Sequence, residues 1–296
     1  VYYSMIEKKF VLVTDSTTDM PESWHIENDI KVIPQGFVID GNEVIDDFGK
    51  NITAKEIYNR IRQGEMPSTL QGTLEKFIEV FVTACKNGMD VLYVGFSSGL
   101  SGTFNTALIA SREIMEHFPD RKIFCVDSLA ATMGHGIQVI EALKLRDSGM
   151  DAAEAARLVT AHVQNACHFF TVDDLNHLYR GGRLSKATAM LGTLIGIKPI
   201  MYVNESGHLL PISKTRGRKA SIAELARLAA KYIVKPLDQT IYIAHGDCES
   251  DANDLAQQVL ELIPNAKTHV FMLSPIIGVH SGPGTLAVLF WGEKRL

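Results

Sequence analysis

Asp90-Val91-Leu92-Tyr93-Val94-Gly95-Phe96, running straight into Ser97-Ser98-Gly99-Leu100-Ser101-Gly102-Thr103, is the stretch on which the fold turns. The first seven residues are a continuous apolar run, the pattern of a strand covered on both faces. Glycines and hydroxyls follow, and then a helical pattern reaching about His117. The scheme repeats at once: Lys122 to Val126 reads as strand, Asp127-Ser128 as its polar end, and a helix is predicted after Gly136. Upstream, Phe10 to Val13 is a strand ending in Asp15-Ser16-Thr17-Thr18-Asp19. Ile30 to Val38 is another, followed by the hairpin turn Asp40-Gly41-Asn42 and a return strand around Val44. Thr53 caps a helix with Ile57 and Ile61 on one face, Met66-Pro67-Ser68-Thr69 breaks it, and a further helix is predicted from Leu74 to Asn87. Strands alternating with helices predict an α/β unit with a doubly wound, mainly parallel sheet.

After Gln164 the style changes. Phe169 to Val172 reads as strand, a basic segment follows, and Ala189 to Met201 is almost wholly apolar. A hairpin at Asn204-Glu205-Ser206-Gly207, a helix from Ser221 to Ile233, and strands at Thr240 to Ala244, His269 to Leu273 and Thr285 to Trp291 complete the chain. The expected division is an N-terminal Rossmann-like α/β domain over residues 8–168 and a C-terminal α+β domain with a mixed sheet over residues 169–296. A chain of 296 residues is long for one hydrophobic core.

A net charge of −5 gives no global attraction to nucleic acid or anionic lipid. The four cysteines, Cys85, Cys125, Cys167 and Cys248, form no C-x-x-C pair, and the histidines show no H-E-x-x-H spacing, so neither a redox motif nor a metal site is signalled. No run reaches the roughly 18 apolar residues of a membrane span, and no basic segment leads into an apolar stretch near the start. A cytoplasmic protein, neither exported nor membrane-spanning, is expected.

Three stretches carry chemistry. Ser97 to Thr103 delivers several hydroxyls and flexible glycines into a helix start, where free backbone N–H groups and the positive helix end make an anion site; helix capping alone would need one hydroxyl. Pro67-Ser68-Thr69-Leu70-Gln71-Gly72-Thr73 is a second hydroxyl-rich loop, and Gly278-Val279-His280-Ser281-Gly282-Pro283-Gly284 holds a histidine in a Gly/Pro-rich turn. Gly95-Phe96-Ser97-Ser98-Gly99 also matches the G-x-S-x-G nucleophile elbow, and Asp247 and His280 follow in the order an α/β-hydrolase uses. A serine hydrolase built on Ser97, Asp247 and His280 is therefore the alternative. Against it stand the extra residues between Ser97 and the helix start, the lack of an HGGG-like oxyanion segment, and the fall of His280 in the other domain. Arg180-Gly181-Gly182-Arg183 and Lys214-Thr215-Arg216-Gly217-Arg218-Lys219 concentrate basic charge that suits phosphate or an acidic partner, or a solvated face.

Taken together, Val13-Thr14-Asp15-Ser16-Thr17, Ser98-Gly99-Leu100-Ser101-Gly102-Thr103, Val126-Asp127-Ser128, Gly181-Gly182-Arg183 and Ile277 to Gly284 resemble, in order and over nearly the whole chain, the DegV family of bacterial fatty-acid-binding proteins. These are the acyl carriers of the fatty acid kinase system. The resemblance implies two α/β domains with an acyl chain such as palmitate buried between them. It further implies a ligand that is bound rather than transformed, no cofactor, and a partner kinase that phosphorylates the carboxylate. Carried over by motif, the carboxylate contacts would be Thr69, a hydroxyl of the Ser98 to Ser101 loop, and His280 with its neighbour Ser281, Arg183 lying close by. A kinase-facing arginine would fall at Arg216 or Arg218. The chain departs from the family's Thr-Ser-Gln-Pro pattern, with Leu70 for the Ser and Gly72 for the Pro. Burying each methylene is worth about 0.8 kcal/mol, so a chain of roughly fourteen contributes on the order of 11 kcal/mol before entropic costs. Ala189 to Met201, with Met190, Leu191, Leu194, Ile195 and Ile197, is a candidate tunnel wall or an ordinary buried helix.

Overall fold

A computed structural model describes residues 8–185 and 196–296. In the first half, strands β1 (Phe10–Asp15), β2 (Ile30–Ile33), β3 (Gly36–Ile39), β4 (Asn42–Ile45), β5 (Ser68–Leu70), β6 (Asp90–Gly95) and β7 (Ile123–Asp127) alternate with helices. These are α1 (Glu22–Glu27), α2 (Ala54–Arg62), α3 (Leu74–Lys86), α4 (Thr103–His117), α5 (Thr132–Asp147) and α6 (Ala152–His162). Four of the strands form a parallel sheet in the order β2-β1-β6-β7. Alternate side chains sort to its two faces: Leu12, Leu92 and Val94 pack under α5 and α6, while Val13, Val91 and Tyr93 pack under α3 and α4. The uninterrupted apolar run of β6 is thus buried on both sides, as a central strand of a doubly wound sheet requires.

The second half holds β8 (Ala166–Thr171), α7 (Asn176–Arg180), β9 (Ile197–Val203), β10 (Leu209–Arg216), α8 (Arg218–Tyr232), β11 (Thr240–His245), α9 (Glu249–Leu262), β12 (Lys267–Met272), α10 (Pro275–Ser281) and β13 (Leu286–Trp291). Its six-stranded sheet runs β10-β9-β8-β13-β11-β12, antiparallel throughout except where β11 and β12 run parallel. One face, with Phe169 and Val288, packs on α8 and α9; the other, with Phe170, Ala287 and Leu289, turns back toward α5 and α7.

Four expectations are corrected. Ile30 to Val38 is two strands, because the chain leaves the parallel sheet at Pro34-Gln35 and enters a separate antiparallel sheet, β4-β3-β5. The segment around Thr69 is strand rather than loop, Thr69 pairing with Phe37. The helix expected after Gly136 starts at Thr132. Gly134 lies inside it because His168 packs there: a Cβ at 134 would sit 1.6 Å from His168 Nε2. The division expected between residues 168 and 169 cuts β8, which pairs along its full length with β13. Met190, Leu191, Leu194 and Ile195 of the expected tunnel wall lie outside the described residues, whereas Ile197 begins β9.

Candidate functional site

The parallel sheet ends in a loop that Asp15 organises. Fully buried at the end of β1, its carboxylate accepts hydrogen bonds from Tyr93 Oη (2.8 Å) and Phe96 N (3.0 Å) through Oδ2, and from Thr17 N (3.1 Å) and the Thr17 hydroxyl through Oδ1. With its lone pairs engaged, a buried carboxylate becomes a scaffold rather than a liability. It fixes where β6 hands over to the loop.

Along that loop the hydroxyls diverge. Ser97 is fully buried, and its Oγ donates to Gly207 O (2.9 Å) at the tip of the β9–β10 hairpin and accepts from Gly99 N (3.2 Å). Ser98 is exposed and is not part of the lining of the cavity that Ser101 faces. Ser101 lines a cavity. Its Oγ accepts from Thr103 N (3.2 Å) and lies 3.0 Å from Thr103 Oγ1, which itself accepts from Gly72 N (3.2 Å).

This cavity, of about 410 Å³, is walled on one side by the loops of the parallel sheet and on the other by the inward face of the six-stranded sheet with α10. Such a volume lies within the range of small-ligand sites. Most of its surface is apolar, from Phe96 and Leu100 on one side and Phe170, Val203, Leu209 and Leu289 on the other. Its polar lining includes Thr69, Ser101, Arg183, His280 and Ser281, together with Gln35, Gln71, Thr132, His168 and Thr285.

Here residues remote in sequence converge. His280 Nε2 lies 2.7 Å from Thr69 Oγ1, linking α10 to β5, while His280 Nδ1 has no hydrogen-bond partner among the described residues. Burial, reinforced by the nearby Arg183 charge, pushes the His280 pKa down to about 4, so the ring is neutral at neutral pH. Sequence placed His280 in a turn; it sits instead in the last turn of α10, which Gly282 ends with a φ of 80°. The ring also packs on the turn after α7, where a Cβ at Gly181 would come within 2.3 Å of Nδ1. Arg183, two residues on, donates from Nε to Leu100 O (2.9 Å) and from Nη1 to Gly181 O, and burial lowers its pKa. Among the described residues no carboxylate pairs with it. Ser281 is buried, and its Oγ is likewise without a partner there.

The hydrolase constellation is not brought together. Ser97 is bonded to Gly207 O, His280 to Thr69, and Asp247 to Arg62, three separate commitments with no hydrogen bond among the triad residues. The two candidate partner-facing arginines also part company. Arg216 is exposed at the end of β10. Arg218 is partly buried and tied to Asp251 (2.8 Å) and Asp173 (3.7 Å). Cavity residues missed by sequence include Thr132 and His168, since a lone histidine inside Cys167-His168-Phe169-Phe170 looks like core. Asp15 could have been found, because an acidic residue closing an apolar strand next to Ser16 and Thr17 signals a loop organiser.

Among the described residues no helix is long and apolar enough to cross a membrane, and no group of three or more His, Cys, Asp or Glu side chains is placed to hold a metal. A family model described as "Uncharacterised protein, DegV family" matches residues 9–293. A DegV domain-containing protein of Clostridium perfringens is 42% identical over 288 residues, covering 97% of this chain and 99% of the relative. Among solved structures, one reporting fatty acid binding of a DegV family protein from Thermus thermophilus matches with a TM-score of 0.85 at 28% identity, covering 96% of this chain and 99% of that one. A fatty acid binding DegV family protein from Streptococcus agalactiae matches with a TM-score of 0.84 at 26% identity, covering 97% and 100%. With a family model spanning residues 9–293 and a relative 42% identical over 97% of its length, the chain belongs to the DegV family.

Proposed function

We propose that this protein binds a long-chain fatty acid, its tail in the apolar cavity and its carboxylate on Thr69, Ser101, Arg183, His280 and Ser281, and offers that carboxylate to a fatty acid kinase. One observation carries this reading: a half-buried guanidinium with no carboxylate partner among the described residues stands beside the His280–Thr69 pair in the wall of a mostly apolar cavity. Burying a cation without a counter-charge is costly, and a ligand carboxylate supplies that charge through strong, charge-assisted hydrogen bonds. Neutral His280, the Thr69 and Ser101 hydroxyls and the unpartnered Ser281 hydroxyl complete its coordination without adding charge. Related DegV structures described as fatty acid binding support the ligand class. The chain's resemblance to acyl carriers supports the kinase partner, and the exposed Arg216 suits docking an acidic surface.

The test is mass spectrometry of recombinant protein exposed to mixed lipids and released under gentle denaturation. Fatty acid approaching one per chain is expected, and none after exposure overturns the proposal. With a fatty acid kinase and ATP, the loaded chain is expected to yield acyl phosphate, suppressed by Arg216→Glu.

A further inference from the structure

A second cavity, of about 630 Å³, lies against the same face of the six-stranded sheet. Tyr242 of β11 and Trp291 of β13 form its sheet side, while Ile137, Ile140, Glu141 and Lys144, one face of α5, form its helix side. The sheet register shows how little separates it from the first. Residues directly opposite each other on antiparallel strands share a face, with Cβ atoms about 5 Å apart. One such row runs from His168 on β8 through Leu289 on β13 to Tyr242 on β11. His168 and Leu289 line the first cavity, and Tyr242, next in the row, lines the second. The change recurs along β13 itself: Leu289 belongs to the first cavity, and Trp291, on the same face about 7 Å further on, to the second. A single layer of side chains divides the two.

Helix α5 completes that layer. Gly134 lies against His168. One turn on, Ile137, 4% exposed, packs in one cluster with Phe170, Ala287 and Leu289 of the first cavity and with Tyr242 and Trp291 of the second. Isoleucine makes a firm stop, because a β-branched side chain in a helix has one strongly preferred χ1 and does not swing aside as Leu or Met can. The first cavity leads toward this stop. Thr285 donates to Ser281 O (2.9 Å) beside the proposed carboxylate site, and Leu289 stands four residues of strand beyond, about 13 Å. A tail leaving His280 along β13 therefore runs its terminal carbons toward Ile137.

We propose that Ile137 ends the tail cavity and so sets the longest acyl chain this protein accepts, with the second cavity closed off behind it. This rests on the fatty-acid reading above. Two measurements on the lipid-free full chain test it. In the first, octadecanoic and docosanoic acids are titrated into the wild-type chain and into Ile137→Ala. The wild type is expected to gain nothing from the four added methylenes. In Ile137→Ala the wall is open, and docosanoic acid is expected to bind about tenfold more tightly than octadecanoic acid, the worth of burying part of the added length. Ile137→Val, which keeps the branch, stays close to wild type. The same affinity ratio in Ile137→Ala as in the wild type overturns the proposal. The second measurement leaves position 137 untouched. In Trp24→Phe the one remaining tryptophan is Trp291, just behind the wall. Octadecanoic acid brominated at its terminal carbon is expected to quench most of that fluorescence, and the acid brominated beside its carboxylate to leave it. Equal emission with both acids bound overturns the proposal even where Ile137→Ala does not fold. Failure of every acid to bind overturns the fatty-acid reading instead.

Discussion

Arg183→Ala leaves the cavity's apolar wall in place and removes its cation, so fatty acid affinity is expected to fall by about 2 kcal/mol, or about thirtyfold. Displacement of a fluorescent fatty acid measures this, and an unchanged affinity would separate Arg183 from the carboxylate. Single residues are also where sequence ran short. Ser97 carried a nucleophile signature, yet its hydroxyl is spent on a hairpin carbonyl 110 positions away. Thr69 and His280, 211 positions apart, meet at 2.7 Å. No spacing in a linear chain encodes such a meeting, since it depends on how two sheets close on each other. Likewise Ser98 and Ser101 are chemically alike, and only the path of the loop turns one to solvent and the other inward. The φ of Thr132 is invisible for the same reason: threonine is an unexpected residue for a left-handed conformation.

At the scale of elements the chain was far more legible. The apolar run of β6, the Thr53 capping box with Glu56, and the Asn204 to Gly207 hairpin are local patterns, and local patterns survive folding. What local pattern could not supply was change of partner: Ile33 and Gly36 lie three residues apart but belong to different sheets. Glycine in helices misled for a related reason. The helix expected after Gly136 already contains Gly134, whose open space His168 claims. Gly181 has the same character at the turn after α7. Its φ of −71° is open to any residue, so Gly181→Ala costs little in backbone strain, but its methyl group meets the His280 ring. The expected outcome is a folded protein in which the ring has shifted off Thr69. Fatty acid affinity should drop about tenfold, the worth of one or two hydrogen bonds, with the thermal midpoint nearly unchanged. Calorimetry and binding on the same sample check both halves.

Across the whole molecule, buried histidines set the acid limit. His25 donates from Nδ1 to Pro21 O (3.0 Å), and its Nε2 lies 3.2 Å from Thr18 Oγ1; burial pushes its pKa down to about 4, as it does for His280. A histidine whose folded pKa is depressed below 6.5 contributes stability that is present above 6.5 and lost as pH falls through the folded value. Asp19 runs the other way. Raised by burial from 3.8 to about 6, its contribution is present at low pH and lost as pH rises through 6. Five histidines lowered by burial (His25, His168, His177, His245 and His280) outweigh the three carboxyls that burial raises (Asp19, Asp46 and Glu141), so the thermal midpoint is expected to decline from about pH 6.5 to about pH 4 and to change little above pH 7. Scanning calorimetry across that range checks it; a midpoint constant down to pH 4 would mean these rings are protonated without penalty.

The clasp between Ser97 and Gly207 has a kinetic meaning. It is one of the points at which the tip of one sheet's hairpin is fastened to the other sheet's loop, between chain segments that line the cavity at Phe96, Leu100, Val203 and Leu209, and the backbone there is tight: a Cβ at Gly99 would sit 2.8 Å from Ser206 O. Were the proposed fatty acid to enter along the seam between these segments, the halves would have to part, breaking the Ser97–Gly207 contact. Capture and release would then be governed by the same rare opening, which slows both. On the proposed function, the protein would act as a courier with a long residence time rather than a buffer in rapid exchange, its cargo changing hands when something else pries the seam apart.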